Sequence, residues 1–262
     1  MNLKPKKSLG QHFLINEELS ERIVSIFIEE KPKSLVLEIG PGKGVLTGLL
    51  IKQIPDLYCC ELDDRMGNLV SKKYKIDEAN LLRVDVLKLD FKKQFGELPV
   101  SVIGNFPYNI SSQILFHVLE NKEQVPWLVG MFQKEMAKRV ASEHGSKEYG
   151  VISVLMQAYY DIEFLFELNE NDFDPPPKVK SGVISLKRKK TDSGILSQKH
   201  FTRMVKVAFL HRRKMLRNTW KEFYTTEELN KPQFTKRPEQ YSVQQFIDAS
   251  NEVYLKQKNA DQ

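Results

Sequence analysis

Glycines stand at positions 40, 42 and 44 of EIGPGKGVLTGLL, after a β-branched apolar run and before an apolar stretch of helical period. Glycine lets the backbone turn tightly and approach a ligand, and the helix start beyond it offers unpaired amides. A dinucleotide fingerprint counted from Gly40 needs glycine at 45, where Val45 stands; counted from Gly42 it needs one at 47, where Thr47 stands. A phosphate-binding P-loop also fails, because Lys43 is followed by Gly44 rather than Ser or Thr. Taken alone, the loop has a purely structural turn as its alternative. Two acids strengthen the ligand reading. Glu61, seventeen positions after Gly44, ends the next strand-like run, where a carboxylate accepts hydrogen bonds from both hydroxyls of a ribose. Asp85 ends the run after that, placed to accept a proton from the amine of a bound adenine ring. Either acid by itself reads as an exposed strand end. Together the three positions fall at the carboxyl ends of neighbouring strands, where open α/β sheets bind ligands.

The next strand-like run ends in Asn105-Phe106-Pro107-Tyr108-Asn109. This resembles the N-x-P-Y signature of the adenine amino-group methyltransferases that use S-adenosylmethionine. An exocyclic adenine amine is a poor nucleophile because its lone pair is delocalised into the ring, so two acceptors that hold it out of plane help the reaction. The Asn105 side-chain oxygen and the Pro107 carbonyl suit that task, each taking one N–H and aiming the lone pair at the methyl group. Proline has no amide hydrogen to satisfy and a fixed φ, and Tyr108 is suited to stack on a base taken out of its helix. The scheme needs no strong base.

These positions require a sheet that presents successive strand ends side by side. Strands are expected at 34–39, 57–62, 80–85, 100–105 and 127–132, joined by amphipathic stretches, the pattern of a parallel, doubly wound α/β sheet. Two further runs, 161–168 and 181–188, flank the proline triplet Pro175–Pro177 and are expected to pair as an antiparallel hairpin at one edge. After Arg188 the chain reads as a charged linker followed by helices, which predicts a Rossmann-like methyltransferase domain over 1–189 and a small all-helical domain over 190–262. The 262 residues suffice for that architecture without disulfides, and 41% hydrophobic with 28% charged residues is ordinary globular composition. Cys59 and Cys60 are adjacent, and no CxxC or HExxH occurs, so no metal site is expected. With no signal-like or membrane-length apolar segment, the chain is expected to be cytoplasmic, away from membranes and monomeric.

Across nearly its whole length the chain resembles the KsgA-type ribosomal RNA adenine dimethyltransferases. The matching pieces, in order, are KKSLGQHFLIN, VLEIGPGKGVLT, ELD, VDVLKLD, GNFPYNIS, MFQKEMAKRV, YGVISVLMQAYYD, FDPPPKVKSGV and FLHRRKMLRN. The resemblance implies that His12 and Leu14 line the S-adenosylmethionine site beside Gly40, Gly42, Glu61, Asp85 and Asn105. It also implies that Asn105, Pro107 and Tyr108 hold the target amine, with Phe173 stacking on the other face of the base. Its implied substrates are two adjacent adenosines in the 3'-terminal hairpin loop of small-subunit rRNA, alone or in an immature small subunit during late assembly, with S-adenosylhomocysteine as the other product. Three positions depart from the usual pattern: His12 replaces asparagine, Phe106 leucine and Gly182 alanine. The alternatives are the 23S rRNA dimethyltransferases of macrolide resistance, which share the glycine loop and N-x-P-Y turn, and a non-catalytic RNA- or DNA-binding factor on the same scaffold.

Net charge is only +6, but residues 187–217 carry eleven Lys or Arg against one acid, Asp192. Residues 199–217 read as one helix with Phe201, Met204, Val205, Ala208, Phe209, Met215 and Leu216 on an apolar face. Lys199, Arg203, Lys206, Arg213, Lys214 and Arg217 project opposite, while Arg212 and Leu210 fall on the wrong sides. A solvated helix normally mixes signs to form i,i+4 pairs, and this one lacks acids, so the six cations are expected to contact RNA.

Overall fold

A strand whose residues are apolar on both faces must lie inside a sheet covered on both sides. The computed structural model of the chain describes residues 5–6, 9–30 and 33–260. Its strands are β1 (Phe13–Leu14), β2 (Leu35–Ile39), β3 (Tyr58–Cys60), β4 (Leu81–Leu82), β5 (Val100–Asn105), β6 (Trp127–Gln133), β7 (Tyr160–Leu168), β8 (Phe173–Asp174) and β9 (Ser181–Arg188). Seven of them form one sheet in the order β4-β3-β2-β5-β6-β9-β7. Strands β4, β3, β2, β5 and β6 run parallel, and β9 adds antiparallel to β6. The expected edge pair forms, with its second member inserted next to β6 and its first on the outside. A separate two-stranded sheet pairs β1 with β8, Leu14 opposite Phe173.

Helices α1 (Glu17–Glu29), α2 (Val45–Leu50), α3 (Asp64–Tyr74), α4 (Phe91–Phe95), α5 (Ser111–Glu120) and α6 (Lys134–Ala141) connect these strands. In α1, Asn16 caps the first turn by accepting the Leu19 N–H, Glu17 and Glu18 suit the positive helix end, and Ile23, Val24 and Phe27 are buried. They share a core with Val36, Leu46, Leu50, Ile103 and Val129.

The chain divides into two compact units, Met1–Ala137 with Ile162–Arg188, and Lys138–Asp161 with Lys189–Gln262. The expected halves 1–189 and 190–262 differ from this partition at Lys189 and in the segment 138–161. That segment's helix α7 (Val151–Gln157) buries Ile152, Val154, Leu155 and Met156 and packs on α8 (Gln198–Leu210), an association that separation along the chain conceals. The second unit also holds α9 (Leu216–Thr219), α10 (Thr226–Leu229) and α11 (Val243–Ala260). Trp220 is fully buried there, its indole N–H donating to the Met204 carbonyl at 3.1 Å and its ring meeting Tyr241 and Phe246 edge-on.

The basic segment is not one helix. α8 stops at Leu210, and α9 starts at Leu216 after a turn in which the Lys214 N–H donates to the His211 carbonyl. Leu216 is buried and gives its N–H to the Lys236 carbonyl, so tertiary bonds redirect the chain where helical periodicity would have continued it. Among the described residues, no helix is long and apolar enough to cross a membrane.

Candidate active site

The glycine turn after β2 takes a shape that side chains disfavour: φ is +67° at Gly40, +55° at Gly42 and +79° at Gly44. At Gly42 an added Cβ would also lie 3.0 Å from the Phe13 ring. Opening the loop this way turns the Gly42 N–H toward Glu61, where it donates to Oε2 at 3.2 Å while the Asp63 N–H donates to Oε1 at 2.9 Å. Both carboxylate oxygens are thus held by backbone, with a further lone pair on each for a ligand. Glu61 is 7% exposed, and burial raises its pKa against the pull of those two N–H groups. Glu61→Ala should weaken S-adenosylmethionine binding by about tenfold to a hundredfold in calorimetry, the usual loss for hydrogen bonds to a charged group.

Asp85 follows β4 and caps the short turn beyond it, accepting the Leu87 N–H on Oδ1 at 3.0 Å and leaving Oδ2 without a partner among the described residues. Asn105 ends β5. Its Nδ2 donates to the His12 carbonyl at 2.8 Å, which fixes the amide orientation and leaves Oδ1 free to accept. His12 therefore acts on Asn105 through its backbone, so asparagine or histidine at position 12 can hold Asn105 equally. The His12 ring donates from Nδ1 to the Pro175 carbonyl at 2.8 Å and stacks on Tyr108 with centroids 5.4 Å apart. Tyr108 is held at its other end by a hydroxyl contact with Ser181, and burial raises its pKa.

One cavity of about 240 Å³ gathers these groups: His12, Leu14, Gly40, Gly42, Glu61, Asp85, Asn105, Pro107 and Tyr108 all line it. Phe173 does not. Its ring is 2% exposed and packs in the core with Leu14 and Leu168, so in this structure it has no face to offer a base. The sequence did not show that Phe173 lies in the short strand β8, paired with β1, with its side chain on the core side.

Two acids of this region escaped the sequence reading. Asp63 is almost fully buried and receives Arg65 at 2.7 Å, Lys6 at 3.2 Å and Gln11 at 3.3 Å. Arg65 above all holds its pKa far below the usual range, and the cluster ties the segment before β1 to the start of α3. Glu38 lies within β2, 1% exposed, accepting the Thr47 hydroxyl at 2.6 Å. Its signal was an acid inside an apolar central strand. Burial pushes Glu38 up from 4.5 to about 7, so the native state keeps a proton that the unfolded chain loses between those values. Stability should fall as pH rises through that window. Glu38→Gln keeps an acceptor for Thr47 and is expected to flatten the decline in thermal melts between pH 5 and 8.

The residues also fit S-adenosylmethionine by chemistry: a backbone-oriented carboxylate suits ribose hydroxyls, Asp85 Oδ2 is an open acceptor, and glycine at 42 keeps side-chain bulk off the loop. The profile of the ribosomal RNA adenine dimethylase family matches residues 2–254. The chain belongs to that family. The dimethylase is 46% identical over 250 residues to the ribosomal RNA small subunit methyltransferase A of Parabacteroides distasonis, covering 94% of this chain and 92% of that one. It is 43% identical to the protein of the same name from Flavobacterium johnsoniae, covering 96% of both chains. Among solved structures, a dimethyladenosine transferase from Plasmodium falciparum superposes with a TM-score of 0.78 at 24% identity over 94% of this chain and 98% of that one. The 23S rRNA methyltransferase ErmE does so with 0.67 at 21%, over 91% and 99%. At those identities the two structures speak to fold alone.

Two unusual residues of this dimethylase have local causes. Phe106 is 1% exposed and packs on Phe132, and it fits because position 130 is glycine: a Cβ there would lie 2.0 Å from the Phe106 ring. Gly182 similarly faces Phe164 and Ala137, which a Cβ would approach to 2.7 and 2.9 Å. Gly130→Ala should destabilise the protein by about 1–3 kcal/mol, and adding Phe106→Leu should recover most of it in denaturant melts.

The six expected RNA contacts lie on the second unit, and all are exposed. Arg203 is ion-paired with Glu222 at 2.7 Å. Arg212, which fell on the wrong side of the helix, donates to the Ser146 carbonyl at 3.2 Å and anchors the turn from within. Lys199, Lys206, Arg213, Lys214 and Arg217 have no ion-pair partner among the described residues.

Proposed function

We propose that this dimethylase transfers methyl groups from S-adenosylmethionine to the N6 amines of two adjacent adenosines in the 3'-terminal hairpin loop of small-subunit rRNA, acting on the immature subunit late in its assembly. The observation that carries the reading is Asn105, whose Nδ2 is occupied by the His12 carbonyl so that Oδ1 is open beside Pro107 in the cavity of Glu61 and Asp85. Glu61 takes the ribose hydroxyls and Asp85 the adenine amine of the cofactor. When bound, the cofactor supplies a methyl group on a positively charged sulfur. Asn105 Oδ1 and the Pro107 carbonyl each accept one hydrogen of the target amine, turning its lone pair out of the ring plane and toward that methyl group. Tyr108 stacks on the flipped base, its ring steadied by His12 and Ser181. Catalysis therefore rests on alignment, and the amine proton leaves to solvent after transfer.

The choice of the small-subunit RNA rests on the names of relatives matching at 42–46% identity over more than nine-tenths of each chain. A terminal loop suits the chemistry because its bases splay out at little cost. Lys199, Lys206, Arg213, Lys214 and Arg217 supply the phosphate contacts that position the RNA. Mass spectrometry of small- and large-subunit rRNA from cells with and without the gene tests the reading. Loss of dimethyladenosine from the small-subunit RNA alone is expected; loss from the large-subunit RNA, or none, overturns it.

A further inference from the structure

An amine that is methylated twice has two N–H donors before the first transfer and one before the second, so one of its two acceptors loses its partner part-way. Asn105 Oδ1 has no second donor among the described residues. The Pro107 carbonyl has two: the Ile110 N–H at 3.2 Å, and the Ser111 hydroxyl, also at 3.2 Å. The same hydroxyl lies 2.8 Å from the Tyr108 carbonyl. A hydroxyl has one proton and can serve only one carbonyl fully at a time. Ser111 is 3% exposed, at the first position of α5, away from bulk water.

We propose that Ser111 is a positioning residue for the second methyl transfer, an inference that rests on the function proposed above. While the unmethylated amine donates to Pro107, the Ser111 proton stays on the nearer Tyr108 carbonyl. Once that N–H is gone, the Ile110 N–H still occupies one lone pair of the Pro107 carbonyl, the Ser111 proton turns to the other, which the amine has vacated, and the remaining N–H stays on Asn105. Each transfer forms an N–C bond from the amine lone pair, breaks a C–S bond whose electron pair stays on sulfur, and releases one amine proton to solvent. Two donor molecules are consumed. The order follows from the cost of leaving a buried acceptor unpaired: Pro107 can lose the amine because it has another donor, and Asn105 cannot.

The test compares Ser111→Ala and Ser111→Thr with the parent protein in single-turnover reactions on small-subunit particles, with N6-methyl- and N6,N6-dimethyladenosine resolved by mass spectrometry. Ser111→Ala should slow the second transfer about tenfold more than the first, so that monomethyladenosine accumulates, and Ser111→Thr should keep the parent ratio. A binding measurement is independent of turnover. With S-adenosylhomocysteine present, Ser111→Ala should lose about tenfold more affinity for a hairpin carrying N6-methyladenosine than for the unmodified hairpin. If Ser111→Ala is unstable, Ser111→Cys, with its weak donor, takes its place. Equal slowing of both transfers, or an unchanged ratio and affinity, overturns the role of Ser111. Failure of the parent protein to make dimethyladenosine would instead overturn the proposed function.

Discussion

Asn105→Ala is expected to reduce methyl transfer about a thousandfold while leaving RNA affinity within about twofold of the parent. The size follows from what the side chain does. Its Oδ1 is one of two acceptors that turn the amine lone pair out of conjugation, and loss of one positioned polar group in a water-poor site commonly costs two to three orders of magnitude. Its Nδ2 contact with the His12 carbonyl fixes which end of the amide faces the cavity, so the effect belongs to one atom rather than to bulk. Asn105→Asp makes the sharper comparison. A carboxylate oxygen still accepts from the amine, but its other oxygen would stand against the His12 carbonyl where a donor belongs, so intermediate activity is expected. Tritiated-methyl transfer with filter binding of the RNA measures both quantities. Full turnover by Asn105→Ala would remove the acceptor role, and a parallel loss of RNA binding would make the residue structural.

The strands that present this site could be read from sequence because the sheet is buried on both faces: LVLEI, VSVIGN and WLVGMF show no polar alternation, and each forms a strand within a residue or two of its expected bounds. The glycine loop, Glu61, Asp85 and Asn105 stand out in the sequence by type and spacing, and the structure brings them to one cavity. Long-range pairing hid the rest. Nothing local says that Phe13–Leu14 pairs with Phe173–Asp174, that the Phe173 ring is buried in the core, or that a hydrogen bond to the Lys236 carbonyl takes over where α8 stops. Asp63 enters the sequence pattern only as the last residue of ELD; its role depends on Lys6 and Gln11, more than fifty residues away. Gly130 is explained only by Phe106, which reaches it from just past the end of the neighbouring strand β5.

The break after Leu210 alters what the basic segment can do, and hence the second large effect. On a continuous helix Arg212 would have been one more cation of mixed placement; in the turn it is used internally, on the Ser146 carbonyl, and Arg203 is neutralised by Glu222. The charge left for an external polyanion is concentrated in Arg213, Lys214 and Arg217, exposed in and just after the turn, with Lys199 and Lys206 along α8. Each cation that neutralises a phosphate releases about one counterion, so replacing Arg213, Lys214 and Arg217 together by glutamine should lower the slope of log affinity against log salt by about 2–3. At about 0.1 M salt the affinity should fall about a hundredfold. S-adenosylmethionine affinity should not change, since every residue lining its cavity lies within residues 9–110. Arg203→Gln is the internal control: a cation already paired with Glu222 releases fewer counterions, so its slope should move by well under 1. A triple variant with the parent slope would take this turn off the RNA surface, whereas a reduced slope with retained cofactor binding assigns the two halves of the chemistry to different residues, recognition by charge at 213–217 and alignment by Asn105.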